Sequence, residues 1–442
     1  MGPVVDVRSQ GAVGDGLADD TAAIQRAVDA AQAAGGATVL FPPGRYLVRS
    51  PGIHITRQLR FCGVGWQPAS DPFPPAAPPN GSWLLCDDPA SPVVSIHADQ
   101  PGAAAGTCVE GLAIGHRQPP PAGGGAFEPG GYPAAITVGT WCTDVLLQDL
   151  FLLNPTTGIA VGGPEAVTGR VLMRRIWGQP LTTGIVVDGC YDILRLHDVH
   201  FWPFWVYGDG PGGVQKWVER QAAGITLYRC DNPMLTGVFC FGYAVGLALR
   251  QSAAGCPHKC KVSDSDFDDC GTGVLVSGVT ATGVDPHTLL NVSMQGPEKP
   301  VSPSLGGIVV DRSASAVRLA VSNTSIYKFA GSGIHLAGPG SILLADNLFI
   351  HDVNRAGQGG AGIRAVGGAR ARVGWQREIS VANGGPATDG HVELAVGVPA
   401  PGGAVTHDSL PGPPAGDLPD DPWADNPLLR PRGGAWEPRA SG

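Results

Sequence analysis

The 442-residue chain has no run of 18 consecutive apolar residues, so no segment reads as a helix long enough to cross a bilayer. It has no Lys/Arg-rich run either: 29 basic residues lie scattered among 38 acidic ones, for a formal net charge of -9. A phosphate backbone demands a clustered positive footprint, so a nucleic-acid partner is not expected. Among ten cysteines there is no CxxC pair. The closest spacing, Cys256-x-x-x-Cys260 with His258 between and Cys270 beyond, lacks the tight knuckle of a zinc site. The thiols Cys190, Cys230, Cys240 and Cys270 sit in or beside strand-like runs and read as small core residues. No metal site and no cofactor are therefore expected from them. The opening Met1-Gly-Pro-Val-Val-Asp6 shows no basic segment followed by an apolar stretch, so no secretory signal is read.

What the chain has in excess is punctuation. Gly 66 and Pro 41 make up about 24% of it, against roughly 12% in average usage. With 43% hydrophobic residues the chain still has ample material for a core. A Gly-aliphatic pair opening a short β-branched run recurs at Gly158-Ile159, Gly184-Ile185, Gly224-Ile225, Gly246-Leu247, Gly273-Val274, Gly307-Ile308, Gly333-Ile334 and Gly362-Ile363, with a degenerate copy at Ile136. Successive anchors lie 23, 26, 40, 22, 27, 34, 26 and 29 residues apart. Periods of this size mean stacked repeats, each too small to bury its own strands. The runs are strand-length and flanked by glycine, and LxxLxL signatures are absent. The expected fold is all-β: a right-handed parallel β-helix of one chain. Aromatics in the strand before an anchor (Phe151, Phe267, Tyr327, Phe349) are expected to point inward.

A solenoid needs a cover at each open end. Asp19-Asp20-Thr21 precedes an alanine-rich helical run with Ala23, Ile24, Ala27, Val28 and Ala31 on one stripe, read as a capping helix with acidic residues at its N-cap. The expected division is 1–50 for the cap helix and first strand, 51–398 for the solenoid with its Pro-rich loop insertions, and 399–442 for a Pro/Gly-rich tail or arm. The ordered set Asp6…Gly11-Ala12-Val13-Gly14-Asp15-Gly16, Asp19-Asp20-Thr21-x-Ala23-Ile24 and Phe41-Pro42-Pro43-Gly44-x-Tyr46 resembles the start of the pectate-lyase-superfamily β-helices, which include glycoside-hydrolase-related proteins and phage tailspike depolymerases. The resemblance covers roughly residues 4–50. It implies the fold, a polysaccharide partner and, from the tailspikes, a side-by-side homotrimer. The NTD, GHG and RIK motifs of polygalacturonases and the arginine pattern of pectate lyases are missing, so pectin is not the expected substrate.

Two regions carry candidate chemistry. In Lys261-Val-Ser-Asp264-Ser-Asp266-Phe267-Asp268-Asp269, strand alternation with Phe267 inward places Asp264, Asp266 and Asp268 outward on one face. Neighbours at i and i+2 are roughly 6.5–7 Å apart, at the low end of the separation used by inverting glycosidases. Crowding raises one carboxyl pKa and suits a general acid, so Asp264, Asp266, Asp268 and Asp269 are the catalytic candidates; the same carboxylates suit Ca²⁺, or a solvated strand edge. The second region is the 40-residue anchor gap. His197, His200 and Trp205 lead into an insertion carrying Trp217, Glu219 and Arg220, the expected sugar contacts, unless the aromatics pack on the next coil. A third group is Asp346-Asn347 with His351-Asp352 and Asn354-Arg355.

The functional expectation is binding and cleavage of an extracellular or capsular polysaccharide by hydrolase or lyase chemistry. A non-catalytic spike of a phage-like particle is the alternative, and epimerase or transferase chemistry on the same scaffold is a third. The place of action is expected to be outside the cell after synthesis in the cytoplasm.

Overall fold

The computed structural model describes residues 3–120, 125–203, 213–280, 285–298 and 305–394. The proposed tail, 399–442, and Trp205 lie outside the described residues. Within them the chain is a parallel β-helix. Strands pair in parallel with the coil before and the coil after, giving an 18-stranded and a 12-stranded sheet. The Gly-aliphatic repeats form the second sheet, for example Thr183–Asp188, Ala223–Leu227 and Val245–Arg250, with their isoleucines and leucines in register. The repeating glycine has a packing cause. A Cβ on Gly184 would lie 2.3 Å from the Phe201 ring, and one on Gly246 would lie 2.4 Å from the Phe267 ring.

The long strands of the first sheet share a bend. In the strands Leu146–Leu153, Leu172–Gln179, Arg195–Phe201, Met234–Phe241, Lys261–Asp268, His287–Gln295, Arg318–Tyr327 and Ile342–Val353, one residue at the same register position adopts positive φ, with further positive-φ residues at Gly178 and Asp352 near the ends of two of them. The bend residues are Asp149, Arg175, Asp198, Gly237, Asp264, Asn291, Asn323 and Asn347, with φ between 49° and 64°. The flanking residues pair coil to coil, so the bends stack in one column. Asn and Asp tolerate the left-handed region better than other side chains. Here they also bond along the column: Asn347 Nδ2 donates to Asn323 Oδ1 at 2.9 Å, Asn323 Nδ2 to Asn291 Oδ1 at 3.0 Å, and Asn291 Nδ2 to Asp264 Oδ1 at 2.7 Å.

The bend resets side-chain alternation and corrects the expected inward set. Phe267 is inside. Phe151, Tyr327 and Phe349 point out of the coil, because Leu150 and Leu152, Ile326, and Leu348 and Ile350 fill the interior next to them; Phe151 is nonetheless fully buried, in a second cluster with Phe73 and Trp83 on the outer face. Asp264 sits in the bend itself, so it does not share the outward face of Asp266 and Asp268.

The helix α1, Thr21–Ala33, buries Ala23, Ile24, Ala27, Val28 and Ala31 against the strands Val4–Asp6, Thr38–Phe41 and Ile53–Ile55. Its N-cap differs from expectation. Asp20 makes no capping bond but accepts from the Val13 and Gly14 N–H groups at 2.6 and 3.0 Å. Asp19 instead accepts from the Thr21 N–H at 3.0 Å. Gly14 has φ +70°, and a Cβ there would lie 2.9 Å from the Tyr46 ring. The opening motif is thus one packed knot of Gly14, Asp20 and Tyr46.

Replacing Asn323 by Ala should remove both of its column bonds and leave a Cβ-bearing residue in the left-handed region. A loss of about 2–3 kcal/mol is expected in urea unfolding. Asn323→Gly, which accepts that backbone, should lose less.

Candidate functional site

Beyond the bend, the outward positions of successive coils form a row set by the register: Phe151, Trp177, His200, Phe239, Asp266, Ser293, Ser325, Phe349. Its first half is aromatic and in contact. Trp66, reaching in from the Pro-rich loop, stacks on Phe151 at 5.2 Å and donates its indole N–H to the Asp149 carbonyl at 2.8 Å. Trp177 lies 5.2 Å from His200, and His200 stacks on Phe239 at 4.7 Å. The Arg175 guanidinium sits over both Trp66 and Trp177. Two residues further along the strands, Phe241 precedes Asp268 in register. The row therefore runs from stacked rings straight into carboxylates.

Those carboxylates are perturbed in the sense a general acid needs. Burial, then the neighbouring Asp266 and Asp269 charges, push the Asp268 carboxyl up to about 6. Its Oδ1 is buried without a hydrogen-bond partner. Burial against the sheet also raises Asp266, which remains exposed. Asp269 is raised by burial and by the Glu219 charge, against the lowering effect of a bond from the Glu298 N–H. Burial lowers the His200 imidazole.

The insertion folds into α2, Val214–Gln221, and lies close enough to Asp269 for Glu219 and Lys216 to act on its charge. The two sequence candidates thus converge, but with changed roles. Trp217, expected to be free for sugar stacking, packs against the core and donates its indole N–H to the Leu181 carbonyl at 2.9 Å. It anchors the insertion. Glu219 is buried between Gln215 Nε2 at 2.8 Å and Lys216 Nζ at 2.5 Å. Arg220 is exposed. His197 lies on the far side of the bend from His200, in register with Arg174. That other face holds a row of mutually satisfied groups, with Arg60 paired to Glu110, and Gln148 bonded to Glu110 and Arg174. The third group dissolves into structure at Asn347, a member of the bend column, and at Asn354, whose amide is bonded to backbone. Among the described residues no three His, Cys, Asp or Glu side chains converge as a metal site, and Cys256, Cys260 and Cys270 are buried.

Sequence reading missed Trp66, Trp177, Phe239 and Phe241. A signal existed: Phe151, Trp177, Phe239 and Asp266 each stand seven residues before the next Gly-aliphatic anchor.

Residues 4–89 match the family model for rhamnogalacturonase A/epimerase, pectate lyase-like proteins. The match is confined to the first coils of the parallel β-helix. Over 47 residues this β-helix is 57% identical to mannuronan C5-epimerase AlgE6 of Azotobacter vinelandii, a stretch that is 11% of this chain and 5% of the epimerase. The chain thus spans only a small part of the curated relatives it matches. The whole β-helix superposes on a DFA-IIIase from Arthrobacter chlorophenolicus A6 without its lid, with TM-score 0.56, 13% identity and 90% of each chain covered. It superposes on tailspike protein 3 of bacteriophage CBA120 with TM-score 0.51 and 11% identity, covering 89% of this chain and 60% of that one. At such identities these likenesses establish the fold.

The raised Asp268 pKa gives the folded state the tighter hold on that proton. Its ionisation therefore costs folding stability as pH rises from about 4 through about 6. Asp268→Asn should match wild type near pH 4 and exceed it at pH 7.5 by about 1–2 kcal/mol after allowance for solvent screening. Urea unfolding at the two pH values measures the gap, and a pH-independent difference would contradict the assignment.

Proposed function

We propose that this protein binds a polysaccharide along the outward row and cleaves it at the Asp266–Asp268 carboxylates. The carrying observation is the register that sets a row of stacked rings directly against a half-buried carboxyl raised to about 6. Rings on an exposed face suit the apolar faces of sugars, and carboxylates suit acid–base chemistry at a glycosidic bond. The resemblance to a mannuronan epimerase in the first coils and to a phage tailspike in fold supports the same class of partner.

In this reading Asp268, protonated at the start, gives its proton to the leaving glycosidic oxygen as the C–O bond breaks. Ionised Asp266 takes a proton from the water whose oxygen bonds to the anomeric carbon. Outward neighbours two apart on a strand lie roughly 6.5–7 Å from each other, which leaves room for that water and favours inversion. No cofactor is needed. The Asp266 and Asp269 charges help keep the proton on Asp268 in the resting state, and Glu219 acts on Asp269.

The test is a panel of alginate, polygalacturonate, α-1,3-glucan and bacterial capsular and exopolysaccharides, followed by reducing ends and by the ultraviolet absorbance of unsaturated uronates. Reducing ends without that absorbance are expected from at least one member. In Asp268→Asn the rate should fall about 10²–10⁴-fold. kcat/KM of the wild type should fall as pH rises through about 6, because the acid loses its proton. Binding without release would replace cleavage by a recognition role, the alternative that fits a particle-borne spike.

A further inference from the structure

The same row continues past the carboxylates. After Asp266 come Ser293, Ser325 and Phe349, and after Asp268 come Gln295, Tyr327 and His351. The two coils next to the carboxylates thus present hydroxyl and amide groups, and the third presents rings. Phe349 and His351 are near-parallel, with centroids 5.8 Å apart and 8° between planes. His351 is held by its Nδ1, which lies 2.8 Å from Glu378 Oε1 and 2.9 Å from Ser380 Oγ. The Arg377 guanidinium lies over the Phe349 ring at 5.7 Å and donates to Ser325 Oγ at 3.4 Å. The His351 side chain is 51% exposed, and Phe349 is half-buried. Nothing in the core requires either ring on the outside, where a ring gains little from burial.

We infer that Phe349 and His351 form a second sugar-binding platform, so that a glycan chain is held on both sides of the carboxylates and is cut internally rather than from an end. The inference rests on the cleavage reading of Asp266 and Asp268. Neighbouring strands are roughly 4.8 Å apart, which puts Phe349 about 14 Å from Asp266 on one side and the partly exposed Trp177 about 14 Å away on the other. Each arm is long enough for more than one sugar ring. Aromatic rings take the sugar faces at the two ends, and Ser293, Ser325 and Gln295 offer hydrogen bonds between. An end-cutting enzyme needs only one such arm.

The experiment uses the full chain and whichever member of the polysaccharide panel yields reducing ends with wild type. Wild type should collapse the viscosity of that polymer while few reducing ends have formed, and its early products should be long. In Phe349→Ala, the ratio of kcat/KM on polymer to kcat/KM on the matching tetrasaccharide should fall about 2- to 10-fold, the range of one aromatic contact. Phe349→Trp should keep the ratio. His351→Ala should fall with Phe349→Ala, and thermal unfolding of each variant monitors its fold. A ratio unchanged in both alanine variants, or mono- and disaccharides as the first products, would overturn the second platform while leaving cleavage intact. No release from any member of the panel would overturn the cleavage reading and this one with it.

Discussion

A parallel coil stays on its neighbour only while each backbone N–H and C=O meets its partner in the next coil, and a slip of one residue would turn every inward side chain outward. The left-handed residue in each long strand is the device that forbids the slip. It carries a conformational cost of about 1–2 kcal/mol for an ordinary L-residue, so it has one acceptable place per coil. Asn291, Asn323 and Asn347 offset that cost by bonding to one another and to Asp264. Gly237 avoids it by having no side chain. A slip in one direction would put an apolar or β-branched residue such as Leu150, Ile176, Val199, Val292 or Leu348 into the left-handed position, and a slip of an Asn-bearing coil in either direction would break the amide column. Register is therefore held by many small penalties acting together rather than by one strong contact.

Everything on the outer face inherits that register. Since a residue's direction is copied from coil to coil, Phe151, Trp177, His200 and Phe239 form a continuous strip without any loop having to place them. The same copying brings Asp266 next to Phe239 and Asp268 next to Phe241. The three acidic side chains of one strand consequently meet three environments. Asp264, in the bend, accepts from Asn291. Asp266 is exposed beside a ring, and Asp268 is half-buried with one oxygen unpartnered. Asp266 and Asp268, outward neighbours roughly 6.5–7 Å apart, thereby differ in burial and in the charges that act on them, as a division between acid and base requires.

How much of this was legible in the sequence follows from which features repeat. The Gly-aliphatic anchors repeat because large inward groups such as Phe201 and Phe267 leave no space for a Cβ, so period and fold could be read directly. The helical stripe Ala23, Ile24, Ala27, Val28 and Ala31 was legible for the same reason: periodicity records burial. The bend was not, since Asp, Arg, Gly and Asn all occupy it and a strand is normally assumed to alternate without a break. Unbroken alternation turns Phe151, Tyr327 and Phe349 toward the inside of the coil and Asp264 onto the outward face, and the bend reverses both. Asp266, Asp268 and Asp269 were legible because they lie past the bend, where alternation counted from Phe267 holds. The insertion was recognised by its anchor gap, yet the partners of Trp217 and Glu219 lie on other segments, Leu181 in an earlier coil and Lys216 one helical turn away, and spacing along the chain does not report them.

The unpartnered oxygen of Asp268 is the hardest feature to explain by folding alone. A buried acceptor left without a donor costs about 1–3 kcal/mol, and a serine or asparagine at the neighbouring positions would supply one. The surroundings instead add negative charge, from Asp266 and Asp269. Each of these makes ionisation of Asp268 harder, and none strengthens the core. Trp217, bonded to Leu181, fixes α2 so that Glu219 stays beside Asp269. An arrangement that spends stability to keep a proton on one carboxyl, at the end of a strip of stacked rings, is coherent if the proton has a recipient on the outer face. A surface that only displayed aromatics for adhesion would gain nothing from it.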